Sequence, residues 1–311
     1  MADPPTAPLP LTPRYHERIW GGSRLQGRAG VGEAWLAGEA NLVASGPHGG
    51  RPLGELAAEH PEALLGEGAS AGDGFPLLIK LLDTAGWLSV QVHPDDELAL
   101  EIEGSGMRGK TEAWHVLEAE ADAEALVGTR VSPQEFERAI GTDQLPSCLG
   151  HYPLEPGGTL LLPARAPHAL GPGALVYEVQ QQSDITYRGY DWGRDRGPLD
   201  IEKFRRASDV AMPPRDLVPD RPAIGDEPLV RCEHFTLERQ AAGASRAVGG
   251  SGSFKIITLV RGRGAVTWDE GTLALRPYDT VVVPAACDGD ALELEPAGEA
   301  LIASPGGPRE G

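Results

Sequence analysis

The apolar residues of this chain come in short runs, and nearly every run is closed by glycine or proline. "FPLLIKLLDTAGWLSVQVHP", "GGTLLLPARAPHAL", "FKIITLVRGRGAVTW" and "TLALRPYDTVVVPA" are each too brief and too punctuated for ordinary helices. Runs of this kind, bounded by turn residues, are strands. The 41 glycines and 28 prolines supply the turns that many short elements need, so the sequence predicts a mainly β fold. Helical signals are few and lie in the first half. "PLGELAAEHPEALLGEG" places Leu53, Leu56, Ala57, Leu64 and Leu65 among acids, with a break at Pro61. "PDDELALEIEG" starts with Pro94 and acids, as a helix dipole favours. "SPQEFERAIGT" offers Ser132 as N-cap, Pro133 at the first helical position and Glu135 three residues after the cap.

At 311 residues and 32.8 kDa the chain has room for two domains. The Pro-rich, charged stretch "DVAMPPRDLVPDRPAIGDEP" reads as a linker, which divides the chain into residues 1–212, with helical insertions, and residues 213–311. A formal net charge of -19 repels both nucleic acid and anionic membranes, so neither is an expected partner. A small anionic substrate stays compatible, provided that a local basic cluster receives it. Cys148, Cys232 and Cys287 are far apart and show no Cys-x-x-Cys spacing, which fits a reduced, cytoplasmic setting. The first twenty residues lack a basic start followed by an apolar run, and no stretch approaches the ~18 to 20 apolar residues of a membrane span.

Four segments carry chemistry. In "LSVQVHPDDEL", read as a strand, Ser89, Gln91 and His93 share one face while Leu88, Val90 and Val92 pack behind it. Gln91 and His93 can thus reach one ion, although such a pair alone reads more readily as a polar edge facing solvent. In "RGKTEAWHVL", Glu112 opens an apolar strand beside Lys110. A carboxylate near an imidazole and an amide oxygen makes an N/O donor set suited to zinc or another divalent transition metal. Taken alone, Glu112 also reads fairly as a surface acid at a strand start. "GGTLLLPARAPHAL" is a turn, an apolar strand and a second turn ending in His168, and barrels of the cupin type supply their last metal histidine from such a unit. In "YEVQQQSDITYRGYDWGR", read as a strand, Glu178, Gln180, Gln182 and Asp184 share a face beside Val176 and Val179. Inward-facing polar groups cost free energy unless paired. A ligand-lined cavity and an outward-facing strand explain that run equally well.

Together with "ERIWGG" near the start, the blocks "LSVQVHPDDELA", "GKTEAWHVL", "PHAL" and "YEVQQQSDITYRGYDWGR", in this order and at this spacing, resemble the short bacterial form of the type I mannose-6-phosphate isomerases. The resemblance covers roughly residues 14–235 well and the C-terminal lobe loosely. It implies two cupin-type lobes, the first a metal-binding catalytic domain and the second a degenerate one. It also implies a single Zn2+ per chain, or another divalent ion, on Gln91, His93, Glu112 and His168. It marks Arg188 as catalytic, with Glu178 and Lys110 as further catalytic groups and Ser89 at the substrate. Arg194 corresponds to the residue that binds the substrate's phosphate, where longer relatives carry another basic residue. Asp184 joins the substrate-binding set.

The implied reaction interconverts mannose 6-phosphate and fructose 6-phosphate through a cis-enediol, in a monomer or weak homodimer. Two other readings stand beside it: a cupin isomerase or epimerase of another sugar phosphate, and a non-catalytic, metal-containing sugar-binding cupin. Arg188 and Glu178 together disfavour a mere binder, and the mixed Gln/His/Glu/His set disfavours an oxygenase. His16, His48, His60, His151 and His234 have no partners in sequence and read as surface or structural residues, and His115 as a packed one. Asp95 and Asp96 read as helix caps, and Trp20 and Trp35 as core. "LRPYDTVVVPA" resembles the second half of a cupin motif but has no histidine, so the C-terminal lobe reads as a metal-free packing unit.

Overall fold

The structure, a computed structural model, describes residues 3–72, 74–213, 228–241 and 245–306. Antiparallel sheets dominate, as the punctuated apolar runs predict, and helices are few and short. The described residues divide into two units. One draws on Tyr15–Ala34 and Leu81–Pro222, the other on Met1–Arg14, Trp35–Lys80 and Ala223–Gly311. Both are discontinuous, unlike the expected cut between 212 and 213. The reason is long-range pairing: Leu9 faces Val282 and Pro10 faces Val281, which ties the start of the chain to C-terminal strands. The stretch read as a linker falls largely outside the described residues.

In the first unit one sheet sets Thr159–Leu162, Glu112–Ala119 and Ala174–Gln181 side by side in that order. A second sheet runs Tyr187–Tyr190, Val90–Val92, His168–Leu170, Glu124–Thr129 and Leu149–Pro153. Trp114, Val116, Leu160, Leu162 and Val176 of the first sheet form one apolar cluster with Ala125, Val127 and Leu170 of the second. The alternate residues of the second sheet, Val90, Val92, Leu126, Ala169 and Tyr187, pack instead with Phe136 and Ala139 of the helix Pro133–Ala139 and with Phe204 and Ala207 of the helix Ile201–Ala207. Period-two alternation thus decides which side chains enter the interior of the unit.

Two strands are shorter than their sequences suggest. The Gln91 strand begins only at Val90, so Leu88 does not pack behind it with Val90 and Val92 but joins the Trp114 cluster. The polar strand ends at Gln181, which leaves Gln182 and Asp184 beyond it and Asp184 exposed. The helix caps follow the sequence. Ser132 and Glu135 form a reciprocal capping box, and Asp95 accepts Leu98 N at 2.9 Å to cap Asp96–Glu103.

The other unit pairs a seven-stranded sheet with a four-stranded one. Ile257, Leu259, Val281, Val283, Ala300 and Ile302 of the larger sheet cluster with Val266, Leu275, Leu292 and Leu294 of the smaller. The expected helical turns are the short helices Leu53–Glu59 and Pro61–Leu65, with His60 between them. Trp20, in the first unit, is buried as expected. Trp35 is not: it remains half-buried, with Lys80 Nζ 5.2 Å and the Arg14 guanidinium 5.8 Å from its ring centroid. Cys148, Cys232 and Cys287 are free thiols. No helix among the described residues is long and apolar enough to cross a membrane.

Candidate active site

Strand register assembles the site from positions far apart in sequence. Gln91 lies on the central strand of its three, directly opposite His168 on one side and Arg188 on the other. Residues opposed in this way project from the same face, which is the face that carries Val127 inward. In the other sheet, Glu112 faces both Gln180 and Leu162, and Trp114 faces Glu178. The polar run at 178–181 therefore points partly inward, as a ligand-lined interior requires, and both Glu178 and Gln180 are buried.

His93, Glu112 and His168 meet as a buried cluster whose ligating atoms all lie within 4.8 Å of one another. His168 Nε2 is 3.2 Å from Glu112 Oε1, and His93 Nε2 is 3.6 Å from Glu112 Oε2. The imidazoles are aimed from behind. His93 Nδ1 donates to the Ile185 carbonyl at 2.8 Å and His168 Nδ1 to the Ala166 carbonyl at 2.9 Å. That tautomer turns both Nε2 lone pairs toward the carboxylate, as in metal-ligating histidines. Gln91 brings its amide to the same point, with Nε2 3.2 Å from His168 Nε2 and Oε1 accepting from Ser89 Oγ at 3.3 Å. A half-turn of the amide exchanges oxygen for nitrogen there.

Neither Glu112 oxygen nor His93 Nε2 has a hydrogen bond of regular geometry. Buried polar atoms left so cost free energy that a bound cation would recover. Two oriented imidazoles, one carboxylate and one amide form a donor set that fits a four-coordinate divalent ion such as zinc.

The electrostatics agree. Burial, and then the Lys110 ammonium, push His93 down to about 3 against the pull of Glu112, so the imidazole is neutral and its lone pair is available. Burial works against the charges on Glu112 and Lys110, but each outweighs that cost for the other across a 2.8 Å ion pair. Glu112 is held well below the usual carboxylate range. Lys110 is raised, with Glu178 and Asp184 adding to the effect.

The approach to Glu112 is fixed by a polar clamp. Gly109 N donates to Asp96 Oδ1 at 2.7 Å, Lys110 N to the Pro94 carbonyl at 2.9 Å, and Thr111 N to Gln181 Oε1 at 2.8 Å. Gln181 Nε2 closes the ring by donating to Asp96 Oδ1 at 3.1 Å. Only glycine fits at 109, because a Cβ there would come within 2.5 Å of the Asp95 backbone. Asp96, read from sequence as a cap, is thus part of this clamp. Trp114 Nε1 donates to Glu178 Oε2 at 2.8 Å and fixes that carboxylate.

The residues expected at the substrate are less uniform. Ser89 is buried and bonds to Gln91. Asp184 is exposed, outside the strand that was to carry it, and acts on the interior through its charge on Lys110. Arg188 donates from Nη1 to Asp191 Oδ2 at 3.3 Å and from Nη2 to the Pro198 carbonyl at 2.9 Å. Arg194 donates from Nη1 to the Trp87 carbonyl at 2.8 Å and from Nη2 to Asp191 Oδ1. Asp191 and Arg196 were not singled out by sequence, although an acid spaced among arginines in "YRGYDWGRDR" is the signal that could have found them.

Known proteins resemble this chain in sequence and in fold. Residues 9–115 match the family model for the catalytic domain of type I phosphomannose isomerase. A mannose-6-phosphate isomerase of Streptococcus mutans is 33% identical over 296 residues, which is 89% of this chain and 92% of that protein. The crystal structure of the mannose 6-phosphate isomerase from Bacillus subtilis superposes with a TM-score of 0.84 at 31% identity, covering 96% of this chain and 99% of that one. A zinc-bound mannose 6-phosphate isomerase shares the fold, with a TM-score of 0.78 at 17% identity over 96% of this chain and 100% of the other. The chain belongs to the type I phosphomannose isomerase family.

Proposed function

We propose that the protein interconverts mannose 6-phosphate and fructose 6-phosphate, in the reduced cytoplasm, as a zinc-dependent monomer or weak homodimer with one ion per chain. The observation that carries this reading is the buried His93–Glu112–His168 cluster on the same unit as Arg188 and Arg194, in a chain whose net charge is -19. Gln91, His93, Glu112 and His168 would hold the ion, which when bound supplies Lewis acidity toward the sugar's oxygens.

The remaining steps belong to side chains. In the open-chain aldose a base removes the C2 proton. The C–H electron pair becomes the C1–C2 double bond, and the carbonyl pair moves to O1, which takes up a proton. Return of a proton to C1 with loss of the O2 proton gives the ketose, so no proton is gained or lost overall. Glu178, fixed by Trp114, is the candidate base. Arg188, opposite Gln91 in the sheet, stabilises the enediolate without losing its own proton. Lys110, kept cationic against its burial by the ion pair with Glu112 and by the charge of Glu178, adds positive charge beside the carboxylates. Binding of the remote phosphate at the Arg194 cluster holds the reacting carbons in place.

The test is a coupled assay of purified protein against a panel of hexose phosphates, before and after chelation. Mannose 6-phosphate should be the preferred aldose, activity should vanish on chelation, and zinc should restore it. Turnover by the metal-free protein would sink the mechanism, and preference for another sugar phosphate would move the chain to a different isomerase activity. In the same assay Arg188→Ala should retain the metal while kcat falls by about 10²- to 10³-fold.

A further inference from the structure

One buried carboxylate gathers three arginines on the loop that follows Arg188. Asp191, 3% exposed, accepts Arg196 Nε at 2.7 Å and Arg196 Nη2 at 2.8 Å, together with Arg194 Nη2, and Arg188 Nη1 at 3.3 Å. Three guanidiniums around one carboxylate leave an excess of two positive charges. The excess is one if the more exposed Asp200, 4.0 Å from Arg188 Nε, is included. Like charges at such spacing would move apart without the acid between them. The arginines in turn outweigh the burial of Asp191 and hold its carboxyl below the usual range.

The rest of the loop is braced on the segment just before the Gln91 strand. Arg194 Nη1 reaches the Trp87 carbonyl, and Trp192 Nε1 reaches the Leu88 carbonyl at 2.7 Å. Trp192 and Gly193 take positive φ values of 56° and 71°, which turn the loop back on itself. Leu88 is three residues from Gln91, about 10 Å along an extended chain, a separation that a hexose phosphate spans.

The three arginines differ in what they have left to offer. Each nitrogen of Arg194 already donates to the protein, Nε to the Asp191 carbonyl at 3.1 Å. Arg188 has both terminal nitrogens engaged. Arg196 spends Nε and Nη2 on a two-pronged pair with Asp191, while among the described residues its Nη1 has no hydrogen-bond partner, and its side chain is 31% exposed. A guanidinium held on one edge and open on the other is a rigid donor for an anion.

We propose that Arg196 is a further substrate-contacting residue, whose open edge binds the phosphate of the sugar phosphate, and that Asp191 is the positioning residue that makes Arg196 and Arg194 one preassembled cation site. The proposal rests on the reading that phosphate binds at this cluster.

The experiment uses the zinc-loaded enzyme and compares R194Q, R196Q, R196K, D191N and D191E with the unaltered protein. KM and kcat for mannose 6-phosphate are measured, with the inhibition constant of inorganic phosphate and the metal content. R196Q should raise both KM and the phosphate inhibition constant about tenfold, with kcat falling less than KM rises, and R196K should recover part of the loss. D191N should raise KM and also lower kcat, because Arg188 loses its partner, at unchanged zinc content. If D191N does not fold, D191E gives the readout, since one added methylene displaces the two-pronged pair. If R194Q raises both constants and R196Q neither, phosphate binds at the cluster and the role given to Arg196 is overturned. If neither arginine variant moves them, the phosphate reading itself falls. Normal constants with a lowered melting temperature in R196Q, or in the folded Asp191 variant, would reduce that residue to a loop brace.

Discussion

The two units share one plan, sheet against sheet, and differ in what they enclose. In one, the inward face carries Gln91, His168, Glu112, Glu178 and Gln180 beside Trp114 and Val127. In the other, the corresponding space is filled by Ile257, Leu259, Val266, Val281, Val283, Leu292 and Ile302. The contrast is sharpest in two similar stretches. Thr159–Leu162 runs through Pro163 and a left-handed Arg165 to His168 at the buried His93–Glu112–His168 cluster. Thr280–Val283 runs through Pro284 to Cys287, which packs into an apolar cluster. Burial, and then Asp290, push that thiol up to about 12, so it stays neutral. An apolar interior serves stability alone. Charged groups in the other interior cost several kcal/mol unless paired.

The comparison breaks most visibly at the metal. Glu112→Gln keeps the side chain's shape but removes the charge that both imidazoles and Lys110 face. Isomerase activity should fall to background. Zinc at about a thousand times its dissociation constant should stabilise the unaltered protein by about 4 kcal/mol, and this gain should disappear in the variant. Calorimetry with and without zinc measures it, and an undiminished gain in Glu112→Gln would place the ion elsewhere.

What could be read in the sequence was local. Alternation across Val90–Val92 put Gln91 on one face, Pro94 and the acids gave the helix start, and Ser132 with Glu135 gave the capping box. What could not be read was where alternation stops. Leu88 lies just before the strand and Asp184 just after one, and both behave unlike their periodicity. Pairing across long separations also leaves no local mark. Nothing in "LPLT" announces Val281 and Val282, and nothing near Gln91 announces that Arg188 will lie opposite. Asp191 was overlooked for a related reason. A lone acid among arginines looks like charge balance until the fold buries it and turns three guanidiniums onto it.

Acid should act on the two interiors with opposite signs. His93 in the metal-free protein is lowered to about 3, so between about pH 6.5 and pH 3 the unfolded chain binds the proton that the folded one refuses. Stability is therefore lost as pH falls through that window, by up to about 1.4 kcal/mol per unit. Glu112, held low, loses its own contribution toward the bottom of the window. Asp290 in the other unit is raised, by burial first and then by Asp269 and Asp288, against the Cys287 hydrogen bond. Protonation of Asp290 relieves the folded state as pH drops. Thermal unfolding of the metal-free protein between pH 7 and pH 4 should show a net loss, and His93→Asn should flatten it. An unchanged slope in that variant would remove His93 as the responsible group.

The smallest expected effect tests whether polarity inside the apolar unit is replaceable. Thr258 and Thr280 are buried on paired strands, and their hydroxyls bond each other at 3.0 Å. Thr280 Oγ1 also lies 3.4 Å from the Tyr278 carbonyl. Removing one hydroxyl breaks the bond between the threonines and should cost about 1 kcal/mol. Removing both in Thr258→Val with Thr280→Val replaces a polar pair by groups of the same shape, so the double variant should lose less than the sum of the single costs, with kcat and KM unaltered. In the other unit, Lys110→Met with Glu112→Leu also removes a buried pair, the 2.8 Å ion pair, yet it should abolish turnover whatever it does to stability. A cost in the double threonine variant equal to the sum of the single costs would mean that the bond between these hydroxyls contributes nothing, and that the second interior depends on each polar group separately.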